Sequence, residues 1–186
     1  MRADELSTRV ASWWRWPLLA GIVLLATLGA MAATQYSEFT RATADIEHSD
    51  AVTRAVDHLV LVLVDAETGY RGYLLTGNPV FLEPYRGVDG RARDAVVALT
   101  SLLADDTSRR GDLSRLSALV DQRLAEMTSN IAFNDQGQRE RALASIRTAT
   151  GKRLMDNIRL VGGTLKSEQR TLTASRSLQE IGRAHV

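Results

Sequence analysis

A short polar segment with the groups needed to recognise a ligand follows an apolar run in the first half of the chain. The segment DAETGYRGYLLTG covers residues 65–77 and comes directly after LVLVLV at 59–64. Asp65, Thr68 and Arg71 bring charge and hydrogen-bonding groups close together on a helix. Side chains of these types predict non-covalent recognition of a ligand or of a neighbouring helix.

Two glycines in this segment predict a close approach by another group. Glu67 and Arg71 are four residues apart with the acid first, and such an exposed pair contributes only about 0.3–0.5 kcal/mol. Gly69 and Gly72 each cost a helix about 0.8–1 kcal/mol relative to alanine. Because the glycines cost more than the pair returns, we expect a helix or a ligand to touch the backbone there. The residues predicted to bind a ligand or to act as a switch are Asp65, Glu67, Thr68, Gly69, Tyr70, Arg71 and Gly72.

The same segment also has a purely structural interpretation. Its residues could join the first helix of a bundle to its neighbours at the bundle tip. Tyr70 and Tyr73 would then be core aromatics whose hydroxyls reach a partner. The sequence leaves both interpretations open.

Patterns that support catalysis or metal binding are missing from the sequence. His48 and His58 are too far apart to share one helix face as a metal site, and there is no cysteine. No glycine-rich phosphate loop follows a strand, and no serine lies in a nucleophile elbow. A net charge of +1 with interspersed signs argues against nucleic-acid binding. The sequence predicts no enzyme activity, cofactor, metal or nucleic-acid partner.

The elements that position the polar segment are helices. Apolar or small residues recur from residue 52 to residue 73 in alternating steps of four and three, the spacing of a helix seam. Gly77, Asn78 and Pro79 then combine a C-terminal cap, an N-cap and a first helical position, so the chain reverses there. The predicted seam is Val52, Val56, Leu59, Leu63, Ala66, Tyr70 and Tyr73.

Further helical regions are predicted after this reversal. A turn at 79–83 leads to helices at about 84–105 and 113–131 and to a last region at 138–178, broken near Gly151. At about 1.5 Å per residue, the first exported helix (37–76) and the last region (138–178) each reach roughly 60 Å, whereas the middle two helices reach only roughly 34 Å. We therefore predict an all-α fold, with an N-terminal transmembrane helix and an elongated up-down-up-down four-helix bundle on a two-helix stem. The apolar seam of so thin a stem predicts a homodimer.

An N-terminal apolar segment predicts attachment to a membrane. Residues 17–33 contain no charged side chain, and the uncharged stretch continues to residue 36, about the length that spans 30 Å of hydrocarbon. Arg2, Arg9 and Arg15 precede it, which predicts that the amino terminus is cytoplasmic. The predicted organisation is a cytoplasmic segment at 1–16, a span of the inner membrane at 17–36 and an extracytoplasmic helical sensor domain at 37–178.

Both ends of the chain also have alternative interpretations. Ala30, Met31 and Ala32 fit the cleavage site of a signal peptide, which would release the domain from its anchor. The last seven residues, EIGRAHV at 180–186, are what a common sequencing adapter encodes. We therefore expect 180–186 to be an assembly artefact and the natural protein to continue beyond Gln179.

Two blocks of the sequence resemble the signatures of a known sensory family. DAETGYRGYLLTG followed by NPVFLEPY, and GKRLMDNIR at 151–159, are similar to the recurrent blocks of the third CHASE class. These are sensory extracellular domains associated with cyclases and histidine kinases. The likeness covers residues 36–178, and Tyr70 stands where the family usually has glutamine.

The resemblance implies a sensory input domain on the outer side of the membrane. The output would be a histidine kinase, cyclase, diguanylate cyclase or chemoreceptor module, and the stimulus an unidentified small molecule or protein. The rival interpretation is a membrane-tethered helical scaffold that binds partner proteins without sensing. A complete downstream sequence with a second span and an output module would distinguish the two.

Overall fold

The computed structural model describes residues 15–183, which form helices and turns and contain no strand in that range. The five α-helices are α1 (Arg15–Thr76), α2 (Val88–Leu102), α3 (Arg110–Asp135), α4 (Arg139–Arg147) and α5 (Thr150–Arg183). Short 3-10 helices at Pro79–Leu82 and Thr107–Arg109 lie in the connections. The predicted all-α class is confirmed. Arg2 and Arg9, on which the predicted orientation rests, and residues 184–186 of the suspected artefact lie outside the described residues.

The chain divides into two compact units, one up to Asp45 and one from Ile46 onward. In the first unit, α1 carries exposed apolar side chains such as Leu18, Val23 and Leu25. Among the described residues, α1 is the one helix whose length and apolar composition would let it cross a bilayer. A helix that is apolar all round and unburied by protein is suited to lipid.

The second unit has one hydrophobic core built from the seams of its helices. On α1 the predicted seam from Val52 to Tyr70 is buried, and beyond it Leu74 is buried while Tyr73 is half-exposed. The α1 seam therefore advances by one residue at its end. The other fully buried core residues include Val88, Ala92, Leu99, Leu116, Val120, Met127, Met155, Ile158 and Leu165.

Contacts between helices show an up-down-up-down order within this unit. Glu67 of α1 contacts Arg123 of α3, and Tyr70 of α1 contacts Asn130 of α3. The contacts follow the same order along both helices, so α1 and α3 are parallel. The short connections from α1 to α2 and from α2 to α3 return the chain between them. The last helical region completes the bundle, as predicted.

The helix α5 runs back along α1. Asp57 of α1 forms an ion pair with Lys166 of α5 at 2.7 Å, and Val56 lies against Gly162. Glu168 of α5 pairs with Arg109 at the start of α3, and α5 continues beyond this level to Arg183.

The turn after α1 follows the local signals in the sequence. Gly77 has a positive φ of 71°, which glycine adopts without steric cost, and its N–H donates to the carbonyl of Tyr73 at 2.8 Å. The side chain of Asn78 accepts from the N–H of Val80, as an N-cap does. Pro79 then begins the 3-10 helix. This turn places Phe81 against the polar segment of α1.

The last helical region breaks slightly before the predicted position at Gly151. The break between α4 and α5 falls at Thr148 and Ala149, and Ala149 has a positive φ of 55°. A left-handed conformation is uncommon for alanine. The break turns the first residues of α5 toward α1 and α3, where they line a cavity.

Candidate functional site

A cavity of about 560 Å³ lies among α1, α3 and the α4–α5 break. From α1 it is lined by Glu67, Thr68, Tyr70 and Arg71, which belong to the polar segment singled out in the sequence. Arg123 and Glu126 of α3 form another wall. The remaining lining residues are Val64, Ile146, Ala149, Gly151, Lys152, Met155 and Arg159.

Arg123 lies at the centre of this arrangement, and its side chain is only 2% exposed. Its Nη2 is 3.1 Å from Oε2 of Glu67, and its Nη1 bonds to Oε2 of Glu126. A buried guanidinium needs such partners because an unpaired charge in a protein interior costs several kcal/mol. Glu67 also pairs with Arg71 at 3.4 Å, so this carboxylate joins the cavity mouth to the buried arginine.

Asn130 extends the polar network from α3 to α1. Its Nδ2 group donates to Oη of Tyr70 at 2.9 Å and to Oε1 of Glu126 at 2.8 Å. Burial raises the pKa of Tyr70 to about 12, and the nearby carboxylate of Glu126 adds to this effect. Tyr70 is thus a core aromatic whose hydroxyl reaches a partner, and it also lines the cavity.

Position 151 has no room for a side chain because Arg123 occupies the space beside it. A Cβ at this position would lie 2.6 Å from Nη1 and 3.0 Å from Cζ of Arg123, closer than real Cβ contacts allow. The second block of the sequence therefore approaches the first block through one arginine of α3.

The two glycines of the first block serve a different contact. A Cβ on Gly72 would lie 2.7 Å from Cδ1 of Phe81, and one on Gly69 would overlap the carbonyl oxygen of Phe81 and lie 3.2 Å from Cδ of Pro84. The predicted close approach is therefore made by the 3-10 turn of the same chain. Neither glycine lines the cavity.

The predicted residues thus divide into two groups in the structure. Glu67, Thr68, Tyr70 and Arg71 lie around the cavity, whereas Gly69 and Gly72 lie against the turn. Asp65 is exposed and lies outside the cavity lining. Within the described range, no three acidic or histidine residues gather as a metal site.

Sequence reasoning missed the residues that α3 contributes. Arg123 and Asn130 were not among the predicted site residues, but both are buried polar residues of α3. Counting strictly from Leu116 in steps of four, three, four and three leads through Arg123 to Asn130. A charged residue at a core position of that repeat was the signal.

Comparisons with known proteins bear on the family and the fold. The family model described as "CHASE3 domain" matches residues 42–179. The sensor domain of the histidine kinase HK9 from Rhodopseudomonas palustris is similar in structure, with a TM-score of 0.62 and 22% sequence identity. That match covers 68% of this chain and 98% of the other and concerns the fold. No curated protein matches the sequence.

CHASE3 domains are sensory domains of the extracellular type, and the apolar part of α1 fits attachment of such a domain to a membrane. The family model covers well over half of the chain. The resemblance predicted from the two sequence blocks is confirmed. This chain belongs to the CHASE3 domain family.

Proposed function

We propose that this chain is the extracytoplasmic sensory input part of a transmembrane receptor and that the cavity around Arg123 is its input site. The observation that carries this proposal is that both blocks resembling the family signature meet at one buried arginine, through Glu67 and Gly151. A buried ion-pair network is costly to assemble and contributes little net stability. Because this network lies between three helices, a change in it can alter how the helices pack, which is what a switch requires.

A stimulus in the cavity would act by favouring one packing of the helices over another. Glu67 belongs to α1, Arg123 to α3 and Gly151 to α5, so a ligand that moves the guanidinium changes the contacts of all three helices. A ligand shifts such an equilibrium only by its difference in affinity for the two packings. The long helix α5 would carry the displacement toward the membrane.

The orientation, assembly and output belong to the same proposal. Arginines before the apolar segment support a cytoplasmic amino terminus and an extracytoplasmic domain. We also propose a homodimer, which would cover exposed apolar side chains such as Leu61 of α1 and Leu160 of α5. The output would be a histidine kinase, cyclase, diguanylate cyclase or chemoreceptor module.

A chimeric receptor tests the proposal. Residues 1–179 replace the sensor half of a histidine kinase whose output is measured by a reporter, and Arg71→Ala is compared with the unmodified chimera. Arg71 is 57% exposed, so the variant keeps its fold. Losing an interaction of about 0.3–0.5 kcal/mol that differs between two states shifts their ratio by about twofold, and we expect basal output to change by a similar factor.

Arg115→Ala is the matched control because Arg115 is exposed on α3 and lies outside the cavity. We expect its output to equal that of the unmodified chimera. If Arg71→Ala and Arg115→Ala both leave the output unchanged, the input site is rejected. If the chimera is also insensitive to Glu67→Gln, the scaffold interpretation is favoured over the sensor.

A further inference from the structure

We propose that the cavity around Arg123 binds a small organic oxyanion, either a carboxylate or a phosphate ester. This inference rests on the proposed function, because it names the class of ligand that the same input site would recognise. Its walls carry four cations, Arg71, Arg123, Lys152 and Arg159, against the two carboxylates of Glu67 and Glu126. The excess is positive, so the cavity favours an anion over a cation.

The nearby acid Asp156 does not remove this excess. Asp156 is exposed, does not line the cavity and pairs with Lys152 at 2.5 Å and Arg159 at 3.8 Å. The Lys152 and Arg159 side chains are themselves 74% and 52% exposed. Exposed pairs of this kind contribute only about 0–1 kcal/mol, so a bound oxyanion can exchange with Asp156.

Arg123 also has an unused donor. Its two terminal nitrogens bond to Glu67 and Glu126, but its Nε is buried and has no hydrogen-bond partner in the described part of the chain. Buried donors are nearly always satisfied by protein, water or ligand. An oxyanion entering the cavity would supply an acceptor beside a guanidinium that is already held in place.

The first turn of α5 supports the same inference independently. Gly151 and Lys152 line the cavity, and no acidic residue lies in this turn of a helix of 34 residues. The N–H of Thr150 donates to Oγ1 of Thr148 at 3.4 Å, whereas the N–H groups of Gly151 and Lys152 have no acceptor within the helix. Free N–H groups and the helix dipole favour an anion there.

The size and chemistry of the walls limit the ligand further. A volume of about 560 Å³ is within the range of small-molecule pockets, roughly 300–1,000 Å³. Val64, Ile146 and Met155 add apolar area to the cavity wall. The fitting ligand therefore has one oxyanion group and a short organic body.

Thermal unfolding of the full chain in detergent tests the inference. The probes are sodium butyrate and glycerol phosphate, with sodium chloride at equal ionic strength and neutral butyramide as references. For a dissociation constant of about 1 mM, about 10 mM probe raises Tm by about 4 °C. The stronger of the two probes identifies carboxylate or phosphate as the recognised group.

Two exposed cavity cations provide the variants, because Arg123 substitutions could prevent folding. We expect Arg159→Gln and Lys152→Gln to weaken probe binding by about tenfold, the loss of one charged hydrogen bond. Arg115→Gln, which removes the same charge from α3 outside the cavity, keeps the full shift. Equal shifts in all three variants, or no shift beyond that with sodium chloride, would overturn the oxyanion proposal.

These outcomes separate the ligand class from the proposed function. A chimera whose output changes with Arg71→Ala, combined with no probe-specific Tm shift, rejects the oxyanion and keeps the input site. An unchanged chimera with a probe-specific shift keeps the binding site and rejects its role in signalling.

Discussion

At the scale of single residues, the polar network at the cavity depends on one buried arginine and one buried tyrosine. Arg123 and Tyr70 are both almost completely buried, and both lie among the carboxylates of Glu67 and Glu126. Groups with so little water around them have large desolvation costs. The pKa of Tyr70 offers a direct measure of that environment.

Tyr70 should make the folded chain less stable in alkaline solution. Its pKa is about 12 when folded and has an ordinary value of 10.0, so above pH 10 the unfolded chain releases a proton that the folded chain keeps. The contribution of Tyr70 to stability is constant below pH 10 and falls by up to about 1.4 kcal/mol per pH unit between pH 10 and 12. Urea unfolding at several pH values measures this slope.

Tyr70→Phe is the comparison for this measurement. The variant lacks the titrating hydroxyl and the hydrogen bond from Asn130, so we expect lower stability below pH 10 and a shallower fall above it. Every other ionisable group is common to both proteins, so its effect cancels in the difference. Parallel curves for the two proteins would contradict the assigned burial of Tyr70.

At the scale of elements, helix packing explains which glycines the sequence requires. Gly162 and Gly163 are neighbours on α5, yet a Cβ on Gly162 would lie 2.7 Å from Cγ1 of Val56 and a Cβ on Gly163 would meet nothing within 4 Å. Gly162 therefore allows α1 and α5 to approach closely. Gly163 has no such contact in the described part of the chain.

Alanine substitutions at these two positions should have opposite effects. Gly162→Ala forces Val56 or α1 to move and should destabilise the chain by up to about 2 kcal/mol, the overpacking cost less the gain in helix propensity. Gly163→Ala should stabilise it by about 0.8–1 kcal/mol. Thermal unfolding in detergent measures both, and Val56→Ala combined with Gly162→Ala should recover part of the loss. Equal Tm changes for the two single variants would refute this packing.

The helices themselves were predictable because their signals are local. The seam of α1, the cap at Gly77 and Asn78 and the break near Gly151 all follow from residues a few positions apart. The ends were less accurate: α2 begins at Val88 because the residues after Pro84 form a turn that ends at Gly87, whose φ is 68°. The hydroxyl oxygens of Tyr85 and Thr128 lie 2.7 Å apart, within hydrogen-bond distance. This tertiary contact accompanies the later start of α2.

At the scale of the whole molecule, the proposed orientation follows from charge on either side of the apolar segment. Arg15 precedes it, and Asp45 and Glu47 are among the charged residues that follow it. Cytoplasmic flanks carry the excess of arginine and lysine. A signal peptide is also an apolar N-terminal helix of similar length, so the same composition would fit a signal peptide.

Reporter fusions distinguish these possibilities. We expect alkaline phosphatase fused after Gln179 to be active, because it folds only outside the cytoplasm, and the protein to remain in the membrane fraction. Mass spectrometry of the purified chain should show residues 1–32 still attached. An active reporter with a soluble chain cleaved near Ala32 would instead establish the signal peptide, and an inactive reporter would reverse the orientation.

The sequence by itself determined the helices, the apolar segment, the family and the ion pair between Glu67 and Arg71. Each of these depends on spacing along one helix or on a contiguous block, so no knowledge of neighbours was needed. Only the tertiary structure decided that Arg123 joins the two blocks and that Phe81 occupies the space beside Gly72. Such contacts depend on the axial register of separate helices, which small differences in side-chain packing set and local periodicity leaves free.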